Sequence, residues 1–510
     1  MKKERKNFVE ALETQNKKRK VLTENLAVAY DTSGKELLDF NFKLVRFRNL
    51  TEKEIEKEFS KVFFEDPVVA VKYLFYVGDI RGGLGERKIF RACFDWLGYQ
   101  YPALAMELLS MIPEYTRWDT LVRLINHGKL GYSAGEIIAD QLANDIKGMS
   151  DKKPISLLAK WLPSENTSSK ETRALACRMR SFLEMTPRAY RKTLSALRKY
   201  LDIVEVKASA NDWDKINYES VPSQANLKYK NAFMKHDADR RIEYLESLKR
   251  GDAKINASVA QPHEIVQKYR GGHWWSSIKD YDETLEQMWK ALPDISVADT
   301  LVVRDGSASM TCPATGGTTS CLDVATALAI YCAEHNSKEW RDKFITFSSR
   351  PKFVNMSKCK SLRDKIELAM NEAECSNTNI AKTMQLILDT AIANGFTQEE
   401  MPMNILIISD MQFDGSYFNW GRSLFEDIAL KFNEHGYKLP RIIFWNLNPR
   451  SSAGAIPMQN NELGLVLCSG FSTTNMKMFM SGEVDPYKVL LEQLNTERYE
   501  VIEKIAASIL

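Results

Sequence analysis

The chain has 510 residues, of which 44% are hydrophobic and 27% are charged, and its formal net charge is +3. This length exceeds what one hydrophobic core usually organises, so we expect two or three domains. The composition is typical of a globular protein and excludes a wholly disordered chain, and no run approaches the roughly 18 apolar residues of a membrane helix.

Residues 1–35 are polar and rich in charge, and we interpret them as a basic arm, either mobile or a frayed helix. They lack the apolar segment of a secretory signal. The eight cysteines show no regular spacing, which is typical of reduced thiols in an intracellular protein. These features predict a cytoplasmic protein without membrane contact.

Residues 36–295 carry a helical pattern. Thr51 and Glu54 have the spacing of a capping box, and Pro67 follows Asp66 as prolines do in a first helical turn. Amphipathic segments with short connections are typical of stacked helix pairs, so we predict an all-α, HEAT-like helical array. The glycine-rich segment 78–87 follows no strand and therefore does not match a nucleotide-binding loop.

A basic region lies within this domain. Residues 151–200 contain twelve Lys and Arg against four Asp and Glu. Around 188–200, apolar residues fall on one helix face and cations mostly on the other, with no acidic residue between them. A solvated helix face is the alternative, but uninterrupted like charges favour an anionic partner. The predicted RNA-binding residues are Lys160, Arg173, Arg180, Arg188, Arg191, Lys192, Arg198 and Lys199.

A second mixed basic and aromatic element spans 268–275 and includes Trp274 and Trp275. Aromatic rings beside cations can stack on bases and hold phosphates. Anchoring of a hinge between two domains is an equally good interpretation of this element.

Residues 296–510 alternate between apolar strands and amphipathic helices. We predict strands at 300–305, 343–348, 352–356, 404–410, 441–447 and 463–468. Strands that alternate with helices form a mostly parallel sheet covered on both faces, so an α/β, Rossmann-like domain is expected.

Polar side chains follow the ends of these strands. Asp305, Ser307 and Ser309 come directly after the first strand, and Asp410 ends a later one. Thr378 lies in a polar loop before the helix that begins at 380. Ligand sites in open α/β sheets lie at the carboxyl ends of the strands, and such hard oxygen ligands suit Mg²⁺, Mn²⁺ or Ca²⁺.

This set of residues, in this order, resembles the metal-ion-dependent adhesion site of von Willebrand factor A (vWA) domains. The resemblance implies that Ser307, Ser309 and Thr378 contact a divalent metal, with Asp305 and Asp410 near it. A vWA fold whose site holds no metal is the alternative.

The N-terminal motifs carry a second resemblance. The segments 79–87, 112–119, 159–164 and 190–192 resemble a family described as domain of unknown function 2828. The order of a helical domain before a vWA domain is similar to that of the Ro autoantigen, in which a TROVE module of HEAT-like helices precedes a vWA domain. This similarity implies binding of small structured RNAs by a basic helical array.

Three functions can be weighed from the sequence. The first is an RNA-binding ribonucleoprotein component without catalysis, and the second is a protein-interaction scaffold whose metal binds a partner's carboxylate. A metal-dependent hydrolase is the third. The sequence lacks H-E-x-x-H, and the six histidines have no ligand spacing, so we expect no enzymatic activity.

Overall fold

The computed structural model describes most of the chain. The described residues are 20–270, 277–297, 299–314, 319–337, 339–347, 350–373, 379–415, 422–448, 450 and 455–510. None of the helices among them is both long and apolar enough to cross a membrane.

The chain divides into two compact units. The sheet unit contains residues 60–65 and 260–496 with the described part of 1–54, and the helical unit contains 55–59, 66–259 and 497–510. The sequence predicts three consecutive segments, 1–35, 36–295 and 296–510. The observed units are discontinuous in sequence, because the first residues join the sheet unit and the last helix joins the helical unit.

Six strands of the sheet unit form one sheet: β3 (Thr300–Asp305), β4 (Lys343–Phe347), β5 (Lys352–Asn355), β6 (Asn404–Ser409), β7 (Arg441–Asn446) and β8 (Leu465–Ser469). Their order is β5-β4-β3-β6-β7-β8. Only β5, at one edge, runs antiparallel to its neighbour. Every residue of β3, β6, β7 and β8 is buried, as expected for parallel strands covered on both faces.

Along the chain, the helices of the sheet unit precede, separate and follow these strands. They are Glu36–Phe42, Leu44–Phe47, Pro262–Tyr269, Glu283–Lys290, Cys321–Glu334, Leu362–Asn371, Ile380–Asn394, Leu424–Glu434 and Pro486–Leu494. Short 3₁₀ turns lie at Ala308–Thr311, Gln398–Glu400 and Thr473–Met480. The prediction of a mostly parallel α/β domain is therefore confirmed.

A short hairpin precedes these helices. Strands β1 (Lys20–Leu22) and β2 (Val28–Tyr30) pair antiparallel. Residues 20–30 thus differ from the expected mobile arm or frayed helix. Backbone hydrogen bonds tie them to the rest of the sheet unit, since Tyr30 exchanges N–H···O bonds of 2.9 and 2.7 Å with Ile456.

The helical unit confirms the predicted all-helical region. Its helices are Pro67–Gly78, Arg87–Gln100, Pro102–Leu108, Ile112–Tyr115, Trp118–Arg123, Gly131–Ser150, Leu158–Trp161, Lys170–Phe182, Pro187–Tyr200, Val204–Ser209, Ser223–His236, Ala238–Arg250 and Glu497–Ile509. Its 3₁₀ turns lie at Leu109–Met111, Leu124–Asn126, Trp213–Lys215 and Tyr218–Ser220. The helix Glu52–Glu65 contributes residues to both units.

Both predicted helix starts are confirmed. The backbone N–H of Thr51 donates to the Glu54 carboxylate at 2.8 Å, and the Glu54 N–H donates back to the Thr51 hydroxyl at 3.4 Å. Asp66 caps the next helix by accepting from the Val69 N–H at 3.0 Å, with Pro67 in the first turn. These side chains satisfy backbone donors that have no partner inside the helix.

Asp79 attaches the C-terminal helix to the helical unit. Its carboxylate is fully buried and accepts from the Tyr499 hydroxyl at 2.9 Å and from the Arg498 Nη2 at 2.8 Å. It also accepts from the Arg81 backbone N–H at 2.9 Å. A buried carboxylate requires this many donors to offset its lost hydration, so the motif 79–87 has a structural role.

Candidate functional site

The predicted metal site lies where β3 and β6 end. These strands are parallel neighbours with Arg304 opposite Ile408, so both end at the same edge of the sheet. Numbered by their sequence order within the sheet, the strands run 3-2-1-4-5-6, and β3 and β6 flank the point where the order reverses. Ligands of open α/β sheets bind in the crevice at this point.

Asp305, the last residue of β3, has a fully buried carboxylate. It accepts from the Ser409 hydroxyl at 2.6 Å and from the Ser307 backbone N–H at 2.8 Å. Burial and then the nearby Asp410 carboxylate raise the pKa of Asp305 to about 7, although these hydrogen bonds act in the opposite direction. The site therefore holds a carboxyl group that titrates near neutral pH.

Asp410 follows β6 and is also fully buried. Its carboxylate accepts from Arg450 Nη2 at 2.8 Å and from the Gln412 N–H at 3.2 Å. Burial raises the pKa of Asp410, while the Ser309 hydroxyl and the Arg450 guanidinium oppose that rise. The structure thus brings Asp410 and Asp305 to one site although they are far apart in sequence.

Ser307 and Ser309 complete the part of the site that is described. Their hydroxyl oxygens lie 2.9 Å apart, and the 3₁₀ turn Ala308–Thr311 begins directly after Ser307. Ser307 is buried, whereas Ser309 is partly exposed. Two hydroxyls at alternate positions of one turn therefore face the same centre as the carboxylates.

The donor set fits a divalent cation. Carboxylate and hydroxyl oxygens are the ligands that Mg²⁺, Mn²⁺ and Ca²⁺ prefer. Burial raises the pKa values of both carboxyls, and a bound cation would favour their ionised forms. No group of three or more His, Cys, Asp or Glu side chains suited to a metal occurs among the described residues, so the hydroxyls are needed.

Two predicted elements fall partly or wholly outside the described residues. Thr378, the third hydroxyl that the vWA resemblance implies, is one of them. Trp274 and Trp275 of the segment 268–275 are the other, whereas Lys268, Tyr269 and Arg270 are among the described residues. Arg270 itself is buried and paired with Asp323 at 3.0 Å, so its charge is used within the sheet unit.

Sequence reasoning missed Arg450 and Glu24. The Arg450 guanidinium bridges the Asp410 carboxylate at 2.8 Å and the Glu24 carboxylate at 3.1 Å. Arg450 follows β7, the next parallel strand along the sheet, so its place at the same edge could have been inferred. Glu24 carries no such signal, because it reaches the site only through the packing of residues 20–30 on the loop after β6.

That packing consists of hydrogen bonds between distant segments. The Thr23 hydroxyl donates to the Phe413 carbonyl at 2.9 Å, and the Glu24 N–H donates to the Gln412 side chain at 2.8 Å. The Gly415 N–H donates to the Asn25 carbonyl at 2.8 Å. The hairpin therefore lies beside the candidate metal site.

The predicted cationic surface lies on the helix Pro187–Tyr200 of the helical unit. Tyr190, Leu194 and Leu197 are buried, as the apolar pattern predicts. The opposite face carries four exposed cations: Arg188, Arg191, Lys192 and Lys199. None of these four has an ion pair with a described residue, and we call them the free cations.

Arg198 was expected on the exposed cationic face of this helix, and this prediction is wrong. It is partly buried, and its guanidinium donates to the carbonyls of Ala159 and Leu162 at 2.8 and 2.7 Å and to the Ser164 hydroxyl at 2.8 Å. Burial lowers the pKa of Arg198. This side chain holds the helix Leu158–Trp161 and the residues after it in place, and it offers little to a ligand.

Arg173 and Arg180 are also engaged within the chain. Arg173 donates to the carbonyls of Thr167 and Ser168 at 2.7 and 3.2 Å. Arg180 pairs with Glu165 at 2.7 Å. Lys160 lines a groove elsewhere in the helical unit and is partly buried. The eight predicted RNA-binding residues therefore separate into the four free cations, three structural arginines and one groove lysine.

Comparisons with known proteins identify the chain at the level of family. A family model described as "Domain of unknown function (DUF2828)" matches residues 23–132 and 165–295, and "Domain of unknown function (DUF7788)" matches residues 299–506. The "Uncharacterized protein L728" of Acanthamoeba polyphaga mimivirus is 31% identical over 515 residues, which cover 92% of this chain and 86% of that protein. The chain belongs to the family of this mimivirus protein.

The free cations and the candidate metal site fall in different matched regions. The free cations lie within the DUF2828 match, and Asp305, Ser307, Ser309 and Asp410 lie within the DUF7788 match. The resemblance to domain of unknown function 2828 is therefore confirmed for the segments 79–87, 112–119 and 190–192, whereas 159–164 lies outside the matched residues.

Proposed function

We propose that this protein binds small structured RNA without catalysing a reaction on it, in the manner of Ro ribonucleoprotein components. The observation that carries the proposal is the group of free cations on the helix Pro187–Tyr200. Exposed cations without carboxylate partners retain their full attraction for phosphates. Arg188 and Lys199 are separated by eleven helical positions, or about 16 Å, which is enough to contact several phosphates.

The proposal predicts a specific change in salt dependence. Replacing the four free cations by Gln should weaken RNA binding and lower the slope of log K against log salt by about 0.7 to 0.9 for each lost phosphate contact. Filter binding of a structured RNA at several salt concentrations measures this slope. Arg198 stays unchanged, because its loss would perturb the fold.

A charge-matched control separates a local effect from a general one. The control variant replaces four exposed lysines of the helical unit outside residues 151–200: Lys88, Lys129, Lys235 and Lys254. We expect the control to keep the slope of the wild type. Equal slopes for wild type and the free-cation variant would contradict the proposal and leave the helix as a solvated face.

The sheet unit would serve as a vWA-like, metal-dependent module. Support comes from its strand order, its antiparallel edge strand and the oxygen donors of Asp305, Ser307, Ser309 and Asp410. In this proposal the hydroxyls contact Mg²⁺, or Mn²⁺ or Ca²⁺, and the carboxylates balance its charge. A bound cation would supply a strong electrostatic contact for an oxygen ligand at the sheet edge.

A protein-interaction scaffold is the second candidate function. It is favoured by the Glu24 carboxylate on Arg450, since this contact indicates that the site edge accommodates a carboxylate beyond its own pair. A partner's Asp or Glu could then complete the metal shell. Ser309→Ala and chelation would then abolish binding of the protein partner but leave RNA binding unchanged. This result would assign the two activities to separate units.

A further inference from the structure

The helical unit contains a groove of about 840 Å³ that the metal site and the free cations do not involve. It is lined by residues of three motifs noted in the sequence: 79–87, 112–119 and 159–164. Its volume lies within the range of pockets that bind small molecules or parts of larger ligands. We call it the tryptophan groove, after Trp118 and Trp161 in its lining.

Its aromatic lining suits a planar ligand. Trp118 and Trp161 are both only partly buried. The Arg117 guanidinium lies 4.1 Å from the centre of the Trp161 ring and is held there by Asp119, to which it donates at 3.0 and 2.6 Å. A partly exposed indole fixed in this way offers a rigid surface on which a base can stack at small entropic cost.

The charges of the groove suit an anion. Arg81, Lys160 and Lys228 line it and have no ion pair with a described residue. The acidic side chains in the lining are Glu114 and Glu205. The remaining positive charge favours a ligand that carries phosphates.

Glu205 adds an unsatisfied acceptor. Its Oε2 atom is buried and has no hydrogen-bond partner among the described residues. Buried polar atoms are rarely left without a donor, and this one can accept a hydrogen bond from water or from a ligand. An N–H group on the edge of a nucleobase would be such a donor, and neither a phosphate nor an apolar side chain would be.

From these features we propose that the tryptophan groove binds an unpaired segment of RNA. A base stacks on the indoles of Trp118 or Trp161, the phosphates contact Arg81, Lys160 or Lys228, and Glu205 accepts from the edge of a base. This inference rests on the proposed RNA-binding function and extends it, because the free cations bind phosphates of paired RNA and the groove selects unpaired nucleotides.

Fluorescence anisotropy with a labelled, unstructured hexaribonucleotide tests the groove. Trp118→Ala should weaken its binding by about tenfold or more, and Trp118→Phe, which keeps a ring, should retain most of it. Trp213→Ala is the matched control, because Trp213 is a partly buried tryptophan of the same unit outside the groove. Undiminished binding of Trp118→Ala together with Trp161→Ala would overturn the proposal.

Glu205→Gln gives a test of opposite sign. Removing a negative charge from a cationic groove strengthens the binding of an anion that interacts with Glu205 only by electrostatic repulsion. If the Glu205 carboxylate accepts from a base, the substitution weakens binding instead, because the neutral amide oxygen of Gln is a weaker acceptor than a carboxylate oxygen. Tighter binding of the hexaribonucleotide to Glu205→Gln would therefore contradict the contact with the base.

The outcomes also separate this inference from the proposed function. Binding of a structured hairpin without any binding of the hexaribonucleotide would overturn the groove proposal alone. Failure of the wild type to bind either RNA would overturn both. Displacement of the hexaribonucleotide by an acidic, tryptophan-containing peptide at lower concentration than by unlabelled RNA would reassign the groove to a protein ligand.

Discussion

Asp305→Asn should stabilise the metal-free sheet unit at alkaline pH. The folded protein raises the pKa of Asp305 from an ordinary value of 3.8 to about 7. The folded state then holds the proton more tightly than the unfolded state, so stability falls as pH rises from about 4 to 7. Above pH 7 the ionised carboxylate lowers the free energy of unfolding by about 4 kcal/mol. At pH 5 the same relation gives a decrease of about 1 to 2 kcal/mol.

The substitution should remove this pH dependence while keeping the local hydrogen bonds. An Asn at this position can accept from the Ser307 N–H, and the Ser409 hydroxyl can turn to accept from the new amide. Relative to the wild type, Asp305→Asn should therefore gain about 2 to 3 kcal/mol between pH 5 and pH 8 in the presence of a chelator. Excess Mg²⁺ should reverse the advantage, because only the wild type gains the free energy of metal binding.

Urea unfolding with pulse-labelling hydrogen exchange can measure this effect. Peptides from β3 and β6 report on the sheet unit separately from the helical unit. Asp389→Asn is the control, since Asp389 is exposed on the helix Ile380–Asn394 and should give no pH-dependent difference. Equal destabilisation by Asp305→Asn at both pH values would refute the account of an unbalanced charge at this edge.

Three further predictions concern other contacts. Ser307→Ala with Ser309→Ala should abolish Mg²⁺ binding in calorimetric titration without unfolding the protein, and undiminished binding would contradict the site. Arg198→Ala should destabilise the helical unit by about 2 kcal/mol and Lys199→Ala by less than about 0.5, as measured by denaturant unfolding, because only Arg198 leaves buried carbonyls unpaired. Asp79→Asn should cost about 3 kcal/mol and expose the helix Glu497–Ile509 to hydrogen exchange, and unchanged protection of that helix would show that the buried pair does not hold it.

The sheet and the edge at which its strands end could be predicted from the sequence, because both follow from local patterns of apolar residues. Apolar runs such as 301–303 and 405–408 form buried parallel strands, and parallel strands end at one edge of a sheet. Asp305 and Asp410 could therefore be placed together without knowledge of the intervening chain. Arg450 follows β7, which is parallel to β6, so its place at the same edge is also predictable from the sequence.

Other features depend on tertiary packing that no local pattern encodes. Helical periodicity puts Arg198 near the border of the cationic face, but it does not reveal that the carbonyls of Ala159 and Leu162 lie beside it. The C-terminal helix follows the α/β domain in sequence, yet Asp79 binds it to the helical unit. Glu24 reaches the sheet edge through pairing between segments almost 400 residues apart, since the Glu24–Gln412 hydrogen bond spans 388 positions.

Photo-crosslinking of a structured RNA with an unpaired tail, followed by mass spectrometry of the full chain, locates RNA binding on the protein. We expect the paired part to crosslink to peptides of the helix Pro187–Tyr200, and these crosslinks to disappear when the free cations are replaced. The unpaired tail should crosslink to peptides that contain Trp118 or Trp161. Crosslinks confined to residues 299–506, or their absence from the wild type, would contradict the assignment of RNA binding to the helical unit.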